Sequence, residues 1–241
     1  ISQIAFKGSG IERFTSGLIK TILTFDKNNE WIFFFSSLRN QLDYDIKTQI
    51  QNKGFQIKDY PFPPTLLTLI WNKLHLFKID NLIKNLDWLI TSDWTEPPSS
   101  FKKATIVHDL VYKRFPDTLS PIISRNQNLK LKHVRKETKV IFADSLSTKN
   151  DLISLLEIPE NKIVVNYPGV QIIETHEDFD KKILIKYDIK NKFILSVGKI
   201  EPRKNIQMLI DAYIELDLND IDLVIVGEYG WGPHIKKYKN I

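Results

Sequence analysis

In the stretch GSGIERFTSGLIKTILTF the apolar residues Ile11, Phe14, Leu18, Ile22 and Phe25 fall three or four positions apart. That period puts them on one face of a helix, which two glycines and a serine lead into. WIFFFS then reads as a short strand, FQIKDYP as a segment ending in a proline-rich turn, and TLLTLIWNKLHLF as a helix followed by a second short one. Near-continuous apolar runs recur in LDWLIT (86–91), ATIVHD (104–109), KVIFAD (139–144) and KIVVNY (162–167). Runs without alternation suit strands buried on both faces. Helical patterns lie between them, in TLSPIISRNQNLKLKHVRKE and in SLSTKNDLISLLE, the second opened by serine and threonine as capping candidates. Strand and helix in alternation predict an α/β fold with a parallel sheet and right-handed crossovers.

Residues 171–192 are more polar and read as a linker plus a helix. The pattern then restarts, with FILSVG as a strand, NIQMLIDAYIEL as a helix and DLVIVG as another strand. One such βαβ unit takes about 30 residues, and a domain about 100–150. Residues 193–241 are therefore expected to be the beginning of a second domain. The chain also starts at Ile1 rather than methionine, so the expectation is a piece of a longer protein at both ends.

Composition narrows the field modestly. The 241 residues are 42% hydrophobic and 26% charged, ordinary for a globular chain. With no cysteine, disulfides and thiolate metal sites are excluded, and the five histidines show no ligand spacing along the sequence. No apolar run approaches the roughly 18–20 residues of a membrane span, and no signal peptide is visible. The net charge of +5 suits an anionic ligand or surface, but rich Ile, Lys and Asn usage suggests codon bias behind part of it.

The segment SVGKIEPRKN (196–205) carries the chemistry. Ligands of open parallel sheets bind beyond the carboxyl ends of the strands, where loops run into helix N-termini. Gly198 lets the backbone turn closely, Lys199, Arg203 and Lys204 supply cations, and a helix is expected to begin near Asn205. Solvated loop charge is the plain reading of such a cluster. Its position directly behind a strand favours an anion, with phosphate the leading choice. Neither a Walker lysine-serine pair nor the glycine triplet of a dinucleotide fold is present, and the GSGIER loop fails that fingerprint at Arg13.

SVGKIEPRKNIQMLIDAY resembles the start of the C-terminal domain in glycosyltransferase family 4, retaining enzymes of the two-domain GT-B architecture that use nucleotide-activated sugars. The resemblance implies a Rossmann-like N-terminal, acceptor-side domain at 1–170 whose first strand is largely missing. A linker and helix would follow at 171–192, and an incomplete donor-nucleotide domain at 193–241. It gives Lys199 and Lys204 the donor diphosphate, with Gly198 as the turn and Arg203 as neighbour or substitute. Lysine at 199, where arginine is commoner, keeps the charge but loses the bidentate geometry. GSGIERFTSGLI resembles the family's first glycine-rich loop, so Gly8, Ser9, Gly10 and Arg13 are substrate-loop candidates. TIVHDLVYKRFP resembles the strand ending in histidine-aspartate. By that match His108 lies beside the transferred sugar as the catalytic candidate, with Asp109 orienting or capping its loop. VIFADSLSTKNDLISLLEIPENKIVVNYPGV resembles the last N-domain strand and helix with the hinge, although Gln171 stands where aspartate is frequent. DLVIVGEYGWGP resembles the following strand and loop, where Trp231 either lines the cleft or packs.

The resemblance implies a nucleotide-diphosphate sugar as donor, a glycan or lipid-linked acceptor, and a role in cell-surface polysaccharide synthesis. No cofactor or metal is expected. Asp43 and Asp45 have the spacing of a metal-binding acidic motif but sit in what reads as a polar loop around Tyr44. The family's paired glutamates are not matched by Glu215 or Glu228, so this stretch is expected to be inactive alone. Arg125, Lys132, Arg135, Lys136 and Lys139 recur at near-helical spacing, read as a solvated face or as contact with an anionic membrane. The expected location is cytoplasmic, peripheral at the inner face of the membrane. A competing reading is a catalytically inactive nucleotide- or glycan-binding module. No nucleic-acid-binding signature is found.

Overall fold

The computed structural model describes residues 1–5, 7–92, 94–170 and 177–230, with backbone only at 177–180. The expectations for Gln171 and Trp231 lie outside the described residues. The chain divides into two compact units, Ile1–Pro116 with Ser120–Gly169, and Asp117–Leu119 with Val170–Ile241.

The first unit runs α1 (Gly10–Phe25), β1 (Ile32–Ser36), α2 (Tyr44–Asn52), β2 (Gln56–Tyr60) and α3 (Pro64–Leu67), which passes into a π-helical turn at Thr68–Lys73. Next come β3 (Trp88–Ser92), β4 (Lys102–Val107), α4 (Val111–Arg114), α5 (Pro121–Glu137), β5 (Val140–Ala143), α6 (Leu146–Leu156) and β6 (Ile163–Val165). Every strand pair is parallel, β1 with β2, and β3-β4-β5-β6 in that order. Residues 1–3 touch both sheets: Ser2 Oγ accepts from the Ser36 N–H at 2.8 Å, and the Gln3 side-chain amide donates to Ser92 O at 3.2 Å.

Burial follows the apolar runs with instructive exceptions. In β4, Lys103 through Val107 are all buried, as a strand covered on both faces requires. β3 instead alternates. Leu89 packs in a cluster with Leu67, Trp71, Ile79 and Ile83, while Trp88 and Ile90 on the other face are 43% exposed. In α1 the buried line is Thr15, Ile19 and Leu23, the last two packed with Phe33, Phe35, Leu42 and Ile50, rather than the 11-14-18-22-25 stripe. The apolar face is wide enough for either line, and the packing of β1 selects its centre. Phe25, the last helical residue, stays 76% exposed.

Three local features depart from the sequence reading. Asp43 and Asp45 do not sit in a loop. Asp43 caps α2, its carboxylate accepting from the N–H groups of Asp45 and Ile46 at 3.1 and 3.4 Å. The expected long helix over 65–77 is a single α turn widened into the π turn, after which His75 and Phe77 take left-handed backbone angles, φ 52° and 59°. Arg125, Lys132, Arg135 and Lys136 of α5 and Lys139 just beyond it are exposed, as expected, but Ile122 is exposed with them, and the helix is anchored by Leu131 and Val134.

The second unit contains α7 (Glu177–Lys186), β7 (Lys192–Val197), α8 (Ile206–Glu215) and β8 (Ile221–Val226), with β7 and β8 parallel. Ile206, Ile210 and Tyr213 of α8 close over Leu223. β7 is not buried on both faces: Phe193, Ile194, Leu195 and Val197 are all well exposed, because among the described residues one helix covers one side of a two-stranded sheet. Among the described residues no helix is long and apolar enough to cross a membrane.

Candidate functional site

Three neighbouring parallel strands deliver three polar side chains to one edge. Ser92 ends β3, His108 follows β4, and Asp144 follows β5. The His108 ring lies between the other two: Nδ1–H donates to Asp144 Oδ2 at 2.6 Å, and Nε2 faces Ser92 Oγ at 3.4 Å. With both partners half-shielded, His108 16% and Asp144 17% exposed at the side chain, the carboxylate holds the ring's tautomer and angle. Two further contacts fix it. Phe14 meets the ring edge-on, centroids 4.9 Å apart at 78°, and Thr148 Oγ1 donates to the His108 carbonyl at 3.0 Å. Thr148 is itself set by the start of α6, where Ser145 Oγ accepts the Thr148 N–H at 3.0 Å.

Asp109 is exposed, and its Oδ1 accepts from Val111 N–H at 3.1 Å. It therefore caps the turn into α4. The next turn is tied to α6 by Arg114, whose guanidinium binds Asp151 Oδ1 through Nε at 2.9 Å and also through Nη2.

The glycine-rich loop reaches this edge through Phe14. Gly8 takes φ 75°, and Ser9 caps α1 by accepting from Glu12 N–H at 3.0 Å. A Cβ on Gly8 or Gly10 would meet open space, so neither is glycine because something presses on it. Arg13 is exposed on the first turns of α1.

Asp144 and Ser92 were missed as site residues. A signal existed for Asp144: ATIVHD and KVIFAD both end an apolar run in aspartate, and parallel neighbours place their ends side by side.

In the second unit, Gly198 leaves β7 at φ 152°, its N–H bonded to Val226 O at 2.9 Å. Ile200 N–H donates to Glu228 O at 2.9 Å, so the loops after β7 and β8 run side by side. A Cβ at Gly227 would stand 1.9 Å from Gly198 O, so only glycine permits this approach. The cations follow on a 3₁₀ turn, Pro202–Lys204, and Asn205 in the left-handed region precedes α8. Arg203 is not a free cation: Nε and Nη2 both bind Glu201 Oε1, at 3.1 and 2.8 Å. Lys199 and Lys204 are exposed and form no ion pair among the described residues. The Lys204 Cε lies 3.9 Å from where a Gly198 Cβ would stand, so the lysine chain folds back across that glycine.

No family model matches the chain. Over 89 residues, 37% of this chain, it is 35% identical to N-acetylgalactosamine-N,N'-diacetylbacillosaminyl-diphospho-undecaprenol 4-alpha-N-acetylgalactosaminyltransferase of Campylobacter jejuni. Over 77 residues, 30% of this chain, it is 34% identical to serotype-specific mannosyltransferase WbdA of Escherichia coli. The aligned stretches cover 23% and 9% of those relatives. Among solved structures, the Anabaena Alr3699/HepE complex with UDP and glucose matches at TM-score 0.57 and 13% identity, over 93% of this chain and 59% of that one. The HepE complex with UDP-glucose matches at TM-score 0.56. The fold is α/β with parallel sheets, of the GT-B type.

Proposed function

We propose that the whole protein to which this chain belongs is a glycosyltransferase that moves a sugar from a nucleoside diphosphate to a glycan or lipid-linked acceptor with retention, in cell-surface polysaccharide synthesis. The observation that carries the reading is His108, held by Asp144 at the carboxyl edge of the sheet with Nε2 beside Ser92 Oγ. Two aligned relatives named as sugar transferases and the resemblance to HepE, solved with UDP and UDP-glucose, support it.

In this reading Lys199 and Lys204 receive the charge that builds on the diphosphate as the glycosidic bond breaks. Preorganised charges of that kind contribute about 2–4 kcal/mol each to the transition state. Lysines do this without a metal ion at the diphosphate. Arg203, engaged by Glu201, orders the turn that presents Lys204. His108 Nε2 accepts a hydrogen bond from a hydroxyl of the transferred sugar, while Asp144 keeps the ring proton on Nδ1. The Gly8–Gly10 turn admits the acceptor side, and the exposed basic face of α5 suits an anionic membrane surface where a lipid-linked acceptor resides.

The test is turnover of a panel of sugar nucleotides by the whole protein, paired with His108→Ala. Transfer from one donor, lost in the variant while nucleotide binding persists, is the expected result. Nucleotide binding with no turnover of any donor by the unmutated protein would favour an inactive binding module.

A further inference from the structure

At the opposite, amino-terminal edge of the β3–β6 sheet, two histidines far apart in sequence stack face to face. The rings of His75 and His133 are 3.6 Å apart and 3° from parallel. His75 follows the π turn with its backbone in the left-handed region, and His133 and Glu137 sit four residues apart at the end of α5. Irregular backbone of both kinds gathers at functional sites.

One nitrogen of each ring is committed. His75 Nδ1–H donates to Trp71 O at 2.8 Å, and His133 Nε2–H donates to Asn72 O at 2.9 Å. These carbonyls belong to the π turn, and a backbone carbonyl on the far nitrogen is the support that metal-binding histidines have. The remaining nitrogens, His75 Nε2 and His133 Nδ1, lie 2.6 and 3.9 Å from the same atom, Glu137 Oε1.

Charge points the same way. Buried Lys103 bridges Glu96 Oε1 at 2.8 Å and Glu137 Oε2 at 2.9 Å. Two carboxylates against one ammonium leave one negative charge facing the imidazoles. A neutral His75 would aim a lone pair at Glu137 Oε1, so the 2.6 Å contact needs a positive centre, either a proton or a metal cation.

We propose that His75 Nε2, His133 Nδ1 and Glu137 Oε1 form a binding site for a divalent transition metal of the zinc class, separate from the His108 edge. Two imidazoles and a carboxylate are borderline ligands suited to that class. Bonds of about 2.0–2.1 Å in a tetrahedral site put ligand atoms roughly 3.3 Å apart. The observed 2.6 and 3.9 Å bracket that value. Because imidazole lone pairs lie in the ring plane, binding would swing the Glu137 carboxylate and also tilt the two rings out of their parallel stack so that Nε2 and Nδ1 converge. Bound metal would pin the π turn to the end of α5 and leave a fourth position for water. The inference is independent of the sugar-transfer reading.

The test is titration of the metal-free chain with Zn2+ by calorimetry and with Co2+ by visible absorption, for the unmutated protein, His133→Ala and Glu137→Gln. Expected are one equivalent of Zn2+, a Co2+ spectrum of nitrogen and oxygen ligation, and a loss of affinity of roughly tenfold or more in each variant. Histidine NMR signals of the unmutated protein give a readout that does not depend on variant folding: those of His75 and His133 should move together on adding metal. Absence of binding up to about millimolar Zn2+, binding undiminished in both variants, or metal-induced shifts confined to other histidines would each overturn the proposal.

Discussion

Asp144 Oδ2 accepts a hydrogen bond from His108 Nδ1 at 2.6 Å, across the ends of two adjacent parallel strands. The pair is separated by 36 residues and joined by sheet register, since Val107 pairs with Ala143. Asp144 is thus a positioning residue: it touches the ring and sets Nε2 on the side of Ser92 Oγ.

Asp144→Asn keeps the size of the side chain but can present an amide donor to Nδ1, favouring the wrong tautomer. The expected effect on sugar transfer by the whole protein is a fall in kcat of about 100-fold, the scale of a small misplacement of a reacting group. The KM for the donor should change little. Steady-state kinetics separates the two, and a variant altered in KM with kcat intact would show that Asp144 serves binding rather than orientation.

Lys103 is 2% exposed and its ammonium reaches Glu96 Oε1, Glu137 Oε2 and the Pro97 carbonyl at 2.8–2.9 Å. Thr91 Oγ1 completes the site by donating to Glu96 Oε2 at 2.6 Å. Lys103→Met removes the cation and strands a fully buried carboxylate, so it should cost about 3–5 kcal/mol. Urea unfolding measures it. The double variant Lys103→Met with Glu96→Gln should recover part of the loss, since the uncompensated charge is then gone.

Much of this architecture was readable in the sequence, for physical reasons. Continuous apolar runs marked the strands, and Ser145 and Ser9 stood where caps belong and do cap. What escaped was of two kinds. The π turn has the same apolar spacing as an α-helix at its start, so periodicity could not announce the widening at Thr68–Lys73 or the left-handed His75 beyond it. Pairs made by folding, such as His75 with Glu137 at 62 residues' separation, have no local spacing at all. Asp43 was misjudged because two aspartates flanking a tyrosine look like loop, whereas one of them was a helix cap. At the diphosphate candidate, Arg203 read as a neighbour or substitute for the two lysines, and Glu201 two residues earlier engages it.

Gly227→Ala should loosen the second unit. Its methyl would collide with Gly198 O and C at 1.9 and 2.7 Å, and both are backbone atoms that cannot swing aside. The β7 and β8 loops must separate, weakening the Gly198–Val226 and Ile200–Glu228 hydrogen bonds. Amide exchange of Gly198 and Ile200 should quicken at least tenfold, which corresponds to about 1.4 kcal/mol of local stability. Exchange in β4 should stay as it is.

The central claim is that exposed lysines behind β7 stabilise a departing diphosphate, and kcat/KM for the sugar-nucleotide donor in Lys204→Ala of the whole protein tests it most directly. A loss of 2–4 kcal/mol in transition-state stabilisation corresponds to a fall of roughly 30- to 1000-fold, with Lys204→Arg retaining more activity than the alanine variant. Donor turnover within twofold of the unmutated protein in Lys204→Ala would contradict the account.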